Sequence, residues 1–241
     1  MSTVEGNDSA VQATNDEAVV AKLSAVRRGY FEDPYILALC DALSSPISSK
    51  APPRQPMINR GTYARVSFVR GMVTRFLTAM RPRGPVQVVS FGAGFDTLPF
   101  TLIAENKQNG LAKYVELDFS AVIRGKVDAM ASSPLIASLF ENMVRSADGG
   151  VQAQAKSGGA TYVASECDLR DPRRVLQVIK AAGIDSTRST VFITECVLVY
   201  MPPAASDALI RMAHDEFSGV RAFVNYEPIM PHDPFWKNRW C

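Results

Sequence analysis

Apolar residues recur along this chain in two different periods, and the change from one to the other divides it. Between residues 17 and 80 the spacing is three to four: Val19, Val20, Leu23 and Val26 make one stripe, and Tyr63, Val66, Val69, Val73, Phe76, Leu77 and Met80 make a longer one. That spacing puts each set on a single helical face. Pro34 can open another helix running to Leu43, because the first helical turn tolerates proline. The prolines and glycine of Arg81-Pro82 and Gly84-Pro85 stop the long helix. Segment 44–56, rich in Ser and Pro, is expected as a loop. Residues 2–16 carry few large apolar side chains and are expected as a mobile tail, since they can bury too little surface to offset the entropy of ordering.

After residue 85 the pattern changes. Short β-rich runs at 86–91, 113–117, 160–164, 190–194 and 222–226 alternate with helical stretches at 98–106, 119–130, 134–145, 172–182 and 203–217. Such alternation predicts βαβ units and a mostly parallel sheet. The glycine-rich segment 148–159 is expected as an exposed loop. The predicted organisation is a tail at 1–16, an N-terminal helical region at 17–85 and an α/β, Rossmann-like core at 86–241.

Composition narrows the class. With 47% hydrophobic and 21% charged residues the chain falls among ordinary globular proteins and away from disordered or fibrous ones. A net charge of +2 gives no general attraction for a nucleic-acid backbone. No apolar run reaches bilayer length and the N-terminus has no signal pattern, so the expected compartment is the cytoplasm. Cys40, Cys167, Cys196 and Cys241 form no CxxC pair and read as reduced thiols. His214 and His232 lack a metal-ligand cluster, and neither a GxSxG elbow nor a phosphate-binding GxxxxGK loop is present.

Candidate chemistry lies at the strand ends. In sheets of this kind a ligand sits beyond the carboxyl ends of the strands, where a glycine turn after the first strand lets it approach the backbone. Gly92 and Gly94 occupy that turn, but Thr97 stands where a dinucleotide fingerprint would place a third small residue. The second strand ends in Glu116-Leu117-Asp118, and a carboxylate there can accept both ribose hydroxyls. Asp118 is nearer the pocket than Glu116, although a helix N-cap explains Asp118 equally well. After the third strand, Asp168 falls where a carboxylate can hold the exocyclic amino group of adenine, while Asp171 before Pro172 reads as an N-cap. Glu195 interrupts an apolar run and needs a partner, either the cationic end of a ligand or a nearby arginine.

Several longer runs carry a resemblance. Val11-Gln12-Ala13-Thr14-Asn15-Asp16, Gly29-Tyr30-Phe31-Glu32-Asp33-Pro34-Tyr35, Asn59-Arg60-Gly61-Thr62-Tyr63-Ala64-Arg65, Phe91-Gly92-Ala93-Gly94-Phe95-Asp96-Thr97, Asp168-Leu169-Arg170-Asp171 and Glu195-Cys196-Val197-Leu198-Val199-Tyr200-Met201 together resemble the leucine carboxyl methyltransferase family. The glycine turn is shared with other methyltransferases; the Asn59 to Arg65 run and the Glu195 run are far more specific. The resemblance implies a class I S-adenosylmethionine-dependent methyltransferase, with S-adenosyl-L-methionine as cofactor. It implies that Arg65 holds the methionine carboxylate with help from Lys22, and that Gly92 gives the close backbone approach. Asp118 would then bind the ribose, Asp168 and Leu169 the adenine, and Glu195 the methionine amino group, with Tyr200 in the acceptor pocket. The implied acceptor is the C-terminal leucine α-carboxylate of the protein phosphatase 2A catalytic subunit, bound by a monomer with neither nucleic acid nor membrane involved. Competing readings are a carboxyl methyltransferase acting on modified tRNA or a small molecule, and a cofactor-binding protein with little or no activity. Family members continue well past the fifth strand, so the last strands of the sheet are expected to be missing and strand 222–226 to form an uncovered edge.

Overall fold

The structure, a computed structural model, describes residues 2–43, 52–105 and 110–228. Most of the expected loop 44–56, and the chain after residue 228, lie outside the described residues.

Three helices come first: α1 (Ser2–Arg27), α2 (Pro34–Ala42) and α3 (Pro56–Met80). Strand β1 (Val86–Phe91) leads through α4 (Leu98–Ala104) to β2 (Leu111–Asp118), then α5 (Ser120–Ser132) and the short α6 (Pro134–Ala137). A hairpin of β3 (Phe140–Arg145) and β4 (Val151–Ala155) precedes β5 (Thr161–Glu166). The remainder is α7 (Pro172–Ala181), β6 (Thr190–Glu195), α8 (Pro203–Asp215) and β7 (Arg221–Tyr226). The seven strands form one sheet in the order β3-β4-β5-β2-β1-β6-β7. Every pairing from β5 across to β7 is parallel, and β4 pairs antiparallel with both β3 and β5.

Alternate strand residues divide the core between two faces, as the period of two requires. Val88, Tyr114, Tyr162, Val191 and Val224 meet Val73 and Leu77 of α3, Phe100 of α4, and Ile123 and Val127 of α5 on one face. Val89, Phe91, Val115, Val163 and Phe192 meet Val175 and Ile179 of α7 and Leu209 and Met212 of α8 on the other. The result is a three-layer Rossmann-like sandwich, with β1 fully buried between the layers. No helix among the described residues is long and apolar enough to cross a membrane.

The five expected strands and the mostly parallel sheet are present, and four features differ. Residues 134–145 are not one helix: α6 ends at Ala137 and β3 follows. The apolar positions Leu135, Ile136, Leu139, Phe140, Met143 and Val144 recur in pairs every four residues, the spacing of a helix, and pairing with β4 overrides it. Segment 148–159 is not a loop throughout, because Val151, Ala153 and Ala155 are buried alternately with exposed or half-buried glutamines in β4. Small residues gave that alternation little weight. The first helix starts at Ser2 rather than near Glu17; Val19, Val20 and Leu23 of its second half are buried, while Asp8 and Asn15 of its first half meet polar partners in the α/β core. The fourth difference is one of number, the hairpin bringing the sheet to seven strands. Strand β7 has a neighbour on one side only among the described residues.

Candidate cofactor site

Strand order reverses at β1, which has β2 on one side and β6 on the other. A crevice opens there beyond the carboxyl ends of the strands, as the topology of open α/β sheets dictates. It forms a cavity of about 780 Å³ lined by residues of α1 and α3 together with the ends of β1, β2, β5, β6 and β7. That volume suits a nucleoside-sized ligand.

The glycine turn builds its floor. Gly92 and Gly94 take φ values of +62° and +51°, a region that side chains other than glycine enter at a cost. Contacts close the space as well: a Cβ on Gly92 would lie 2.6 Å from a methyl of Val197, and one on Gly94 would lie 2.7 Å from Asn15 Oδ1. The turn is held from two sides. Gly94 N–H donates to Asp118 Oδ2 at 2.7 Å, and Phe95 N–H donates to Asn15 Oδ1 at 2.9 Å.

Asp118 therefore stands at the cavity with one backbone N–H on each oxygen, from Gly94 and from Phe119. Burial raises its carboxyl above the ordinary value, and these two bonds oppose the rise. Each oxygen keeps lone-pair capacity for a further donor. Glu116 lies deeper and is fully buried, paired with Lys126 Nζ at 2.7 Å and accepting the Tyr162 hydroxyl. The choice of Asp118 over Glu116 as the cavity-facing carboxylate agrees with this placement.

Across the cavity Arg65 of α3 meets Glu195 at the end of β6, with Nε to Oε1 at 2.8 Å. Both side chains are less than a quarter exposed. Burial and nearby Asp96 raise the Glu195 carboxyl, while Arg65 and Lys22 pull it down. Desolvation opposes the charge of Arg65, but Glu195, Cys196 and Asp96 together outweigh it and the guanidinium is held more firmly protonated than usual. The arginine partner considered for Glu195 is thus Arg65, and the pair presents one positive and one negative group to the same space.

Lys22 is buried and also lines the cavity. Its Nζ donates to Asp96 Oδ1 at 2.9 Å and to Thr97 Oγ1 at 2.6 Å, and lies 3.1 Å from Asp33 Oδ2. Desolvation works against its charge, but Asp96 and Asp33 overcome it and keep the ammonium protonated. Asp33 also caps α2 through the N–H groups of Tyr35 and Ile36. Lys22 thus ties α1 and α2 to the helix start after the glycine turn, and Thr97, at the third-glycine position, is one of its anchors.

Asp168 is exposed at the cavity margin and its carboxylate is chelated by Arg170, which lowers its pKa. Arg170 bonds Asp8 of α1 with its other edge, through two contacts of 2.9 Å. Leu169 is buried beside it. Tyr200, half-buried at the end of the short 3-10 helix Leu198–Tyr200, also lines the cavity. As expected, Asp171 caps α7, accepting the N–H groups of Arg173 and Arg174 at 3.1 Å.

Sequence reasoning missed Asn15, Asp8 and Glu227. Asn15 belongs to a run that carries the resemblance, within the segment expected as a tail. Glu227 directly follows β7, and its Oε1 accepts the N–H groups of Val197 and Leu198 at 3.0 and 2.9 Å. Its signal was position alone, one residue past a strand whose neighbour β6 also ends in a carboxylate, Glu195.

Fold and site together define a Rossmann-like α/β domain of the class I methyltransferase arrangement. The family model for leucine carboxyl methyltransferase matches residues 10–214. The chain belongs to the leucine carboxyl methyltransferase family. A leucine carboxyl methyltransferase 1 homolog of Arabidopsis thaliana is 37% identical over 98% of this chain and 66% of its own length. The human tRNA wybutosine-synthesizing protein 4 is 35% identical over 94% of this chain and 32% of its own. Among solved structures, magnesium protoporphyrin IX methyltransferase from Synechocystis PCC 6803 covers 81% of this chain and 72% of its own at 13% identity and TM-score 0.41, too remote to bear on function. The chain spans just under two thirds of the length of the Arabidopsis relative.

Proposed function

We propose that this chain binds S-adenosyl-L-methionine at the carboxyl ends of β1, β2, β5 and β6, and that the protein to which it belongs transfers the methyl group to the α-carboxylate of a C-terminal leucine. The acceptor implied by the family resemblance is the protein phosphatase 2A catalytic subunit. The carrying observation is the facing Arg65–Glu195 pair beside a glycine turn that a Cβ would fill. A zwitterionic amino acid end complements one positive and one negative group, while Asp118 has lone pairs left for ribose hydroxyls and buried Leu169 offers an apolar wall for a base. Asp168 meets adenine in this reading by sharing its carboxylate with Arg170.

When bound, the cofactor supplies an electrophilic methyl group. The residues of this chain supply position. A leucine carboxylate is already ionised at neutral pH, so no general base is needed. Holding a carboxylate oxygen in line with the methyl, with water excluded by Val197, Met201 and the α1 wall, replaces a bimolecular encounter by a near-attack geometry.

The test is calorimetry with S-adenosylmethionine, followed by methyl transfer from labelled cofactor to a peptide ending in leucine and to the same peptide amidated. Binding together with labelling of the free-acid peptide alone is expected. No cofactor binding would overturn the reading. The similarity to the human wybutosine protein supports a second acceptor class, and transfer to modified tRNA but not to the peptide would select it.

A further inference from the structure

The turn after β6 is built in a way the cofactor reading leaves unexplained. Cys196 has φ +56°, the left-handed region, although it is not glycine. A residue held there persists only where its surroundings over-determine it. Two restraints do so. Cys196 N–H donates to the Tyr226 carbonyl at 2.8 Å, and Glu227 Oε1 accepts the next two amides, Val197 and Leu198. The described hydrogen bonds of Glu227 all go to this turn, and its other oxygen is buried without a hydrogen-bond partner among the described residues. A carboxylate on two backbone donors is the strong form of such a cap. What the turn carries is Val197, whose methyls fill the space above Gly92 that a Cβ would claim.

We propose that Glu227 is a positioning residue for the cofactor: by capping residues 196–198 it presses Val197 against Gly92 and fixes the gap between the β1 and β6 ends. Glu227 is not among the residues lining the cavity and acts through the turn. The inference rests on the proposed binding of S-adenosylmethionine at this site.

Two variants of the whole chain test it, Glu227→Ala and Glu227→Gln, read by calorimetry with S-adenosylmethionine and by hydrogen exchange at the Val197 and Leu198 amides without cofactor. The alanine variant is expected to lose protection at both amides and to bind about tenfold more weakly, the effect of removing a buried acceptor. The glutamine variant keeps a carbonyl oxygen, and is expected to retain protection and bind within about threefold of the parent. Should the alanine variant fail to fold, Glu227→Asp serves in its place, since the shorter carboxylate cannot span to the turn. Parent-like binding in the alanine variant, or glutamine no better than alanine, would overturn the proposal while leaving the cofactor reading intact. A parent chain that does not bind the cofactor overturns both.

Discussion

Arg65 and Glu195 sit 130 positions apart in sequence and 2.8 Å apart in space. In the proposed reading the pair meets the amino acid end of the cofactor, and a ligand lacking that end gains nothing from either residue. Arg65→Ala is therefore expected to weaken S-adenosylmethionine binding by roughly 10- to 100-fold, the usual value of a charge-assisted bond. Binding of 5′-methylthioadenosine, which has no carboxylate or amine, is expected to change little. Equal losses for both ligands in a calorimetric titration would mean that Arg65 shapes the pocket instead of reading the zwitterion. Gly92 makes a second prediction at this scale. Gly92→Ala brings a Cβ to 2.6 Å of Val197 at a positive φ, so a cost of about 1–3 kcal/mol in stability is expected. Urea unfolding measures it, and a change under about 0.5 kcal/mol would show that the turn relaxes freely.

Elements carry charge between them as well as apolar surface. Lys126 of α5 reaches Glu116 of β2, with both side chains fully buried. The Glu116 carboxyl is pushed up to about 7, by burial first, with Lys126 and the Tyr162 hydroxyl opposing the shift. A group whose folded pKa lies above its ordinary 4.5 contributes stability below that value and loses it as pH rises through the folded pKa. Lys126→Met removes the strongest opposing influence, so the folded pKa climbs and the loss at high pH grows. Denaturant titrations should show the variant about 3–5 kcal/mol less stable than the parent at pH 8 and much closer to it at pH 5. An equal deficit at both values would mean that Glu116 does not titrate in this window. The same scale explains what could be read from sequence. Strands β1, β5 and β6 and helices α3, α7 and α8 announce themselves through long periodic runs and proline starts, and Asp171 through its place before Pro172. Glu195 and Asp118 were legible as carboxylates at strand ends, and only the resemblance could give Arg65 and Lys22 their roles. Hairpin β3–β4 was not legible, because the small residues of β4 and the helix-spaced apolar run around β3 leave the outcome to tertiary pairing. Helix α1 was hidden for a related reason: Asp8 and Asn15 meet partners more than 75 residues away, at Arg170 and Phe95.

At the scale of the whole molecule the cavity belongs to neither layer alone. Its walls come from α1 and α3 on one side and the strand ends on the other, with Lys22, Asn15 and Asp8 tying α1 to the sheet side. A ligand in that space touches both the helical region and the core, so its binding energy must oppose their separation. Linkage then fixes the size of the effect. With S-adenosylmethionine at one hundred times its Kd, the folded state gains about 2.7 kcal/mol. For a chain of this length that corresponds to a rise in Tm of roughly 5–11 °C. The rise should come as one transition, with hydrogen-exchange protection increasing both in α1 around Asn15 and at Gly94 and Val197. A ligand-induced shift confined to the sheet amides, with α1 exchanging as before, would show that the helix stands beside the site without closing it. A Tm unchanged by the cofactor would remove the site itself, because any ligand bound to the folded chain alone has to stabilise it.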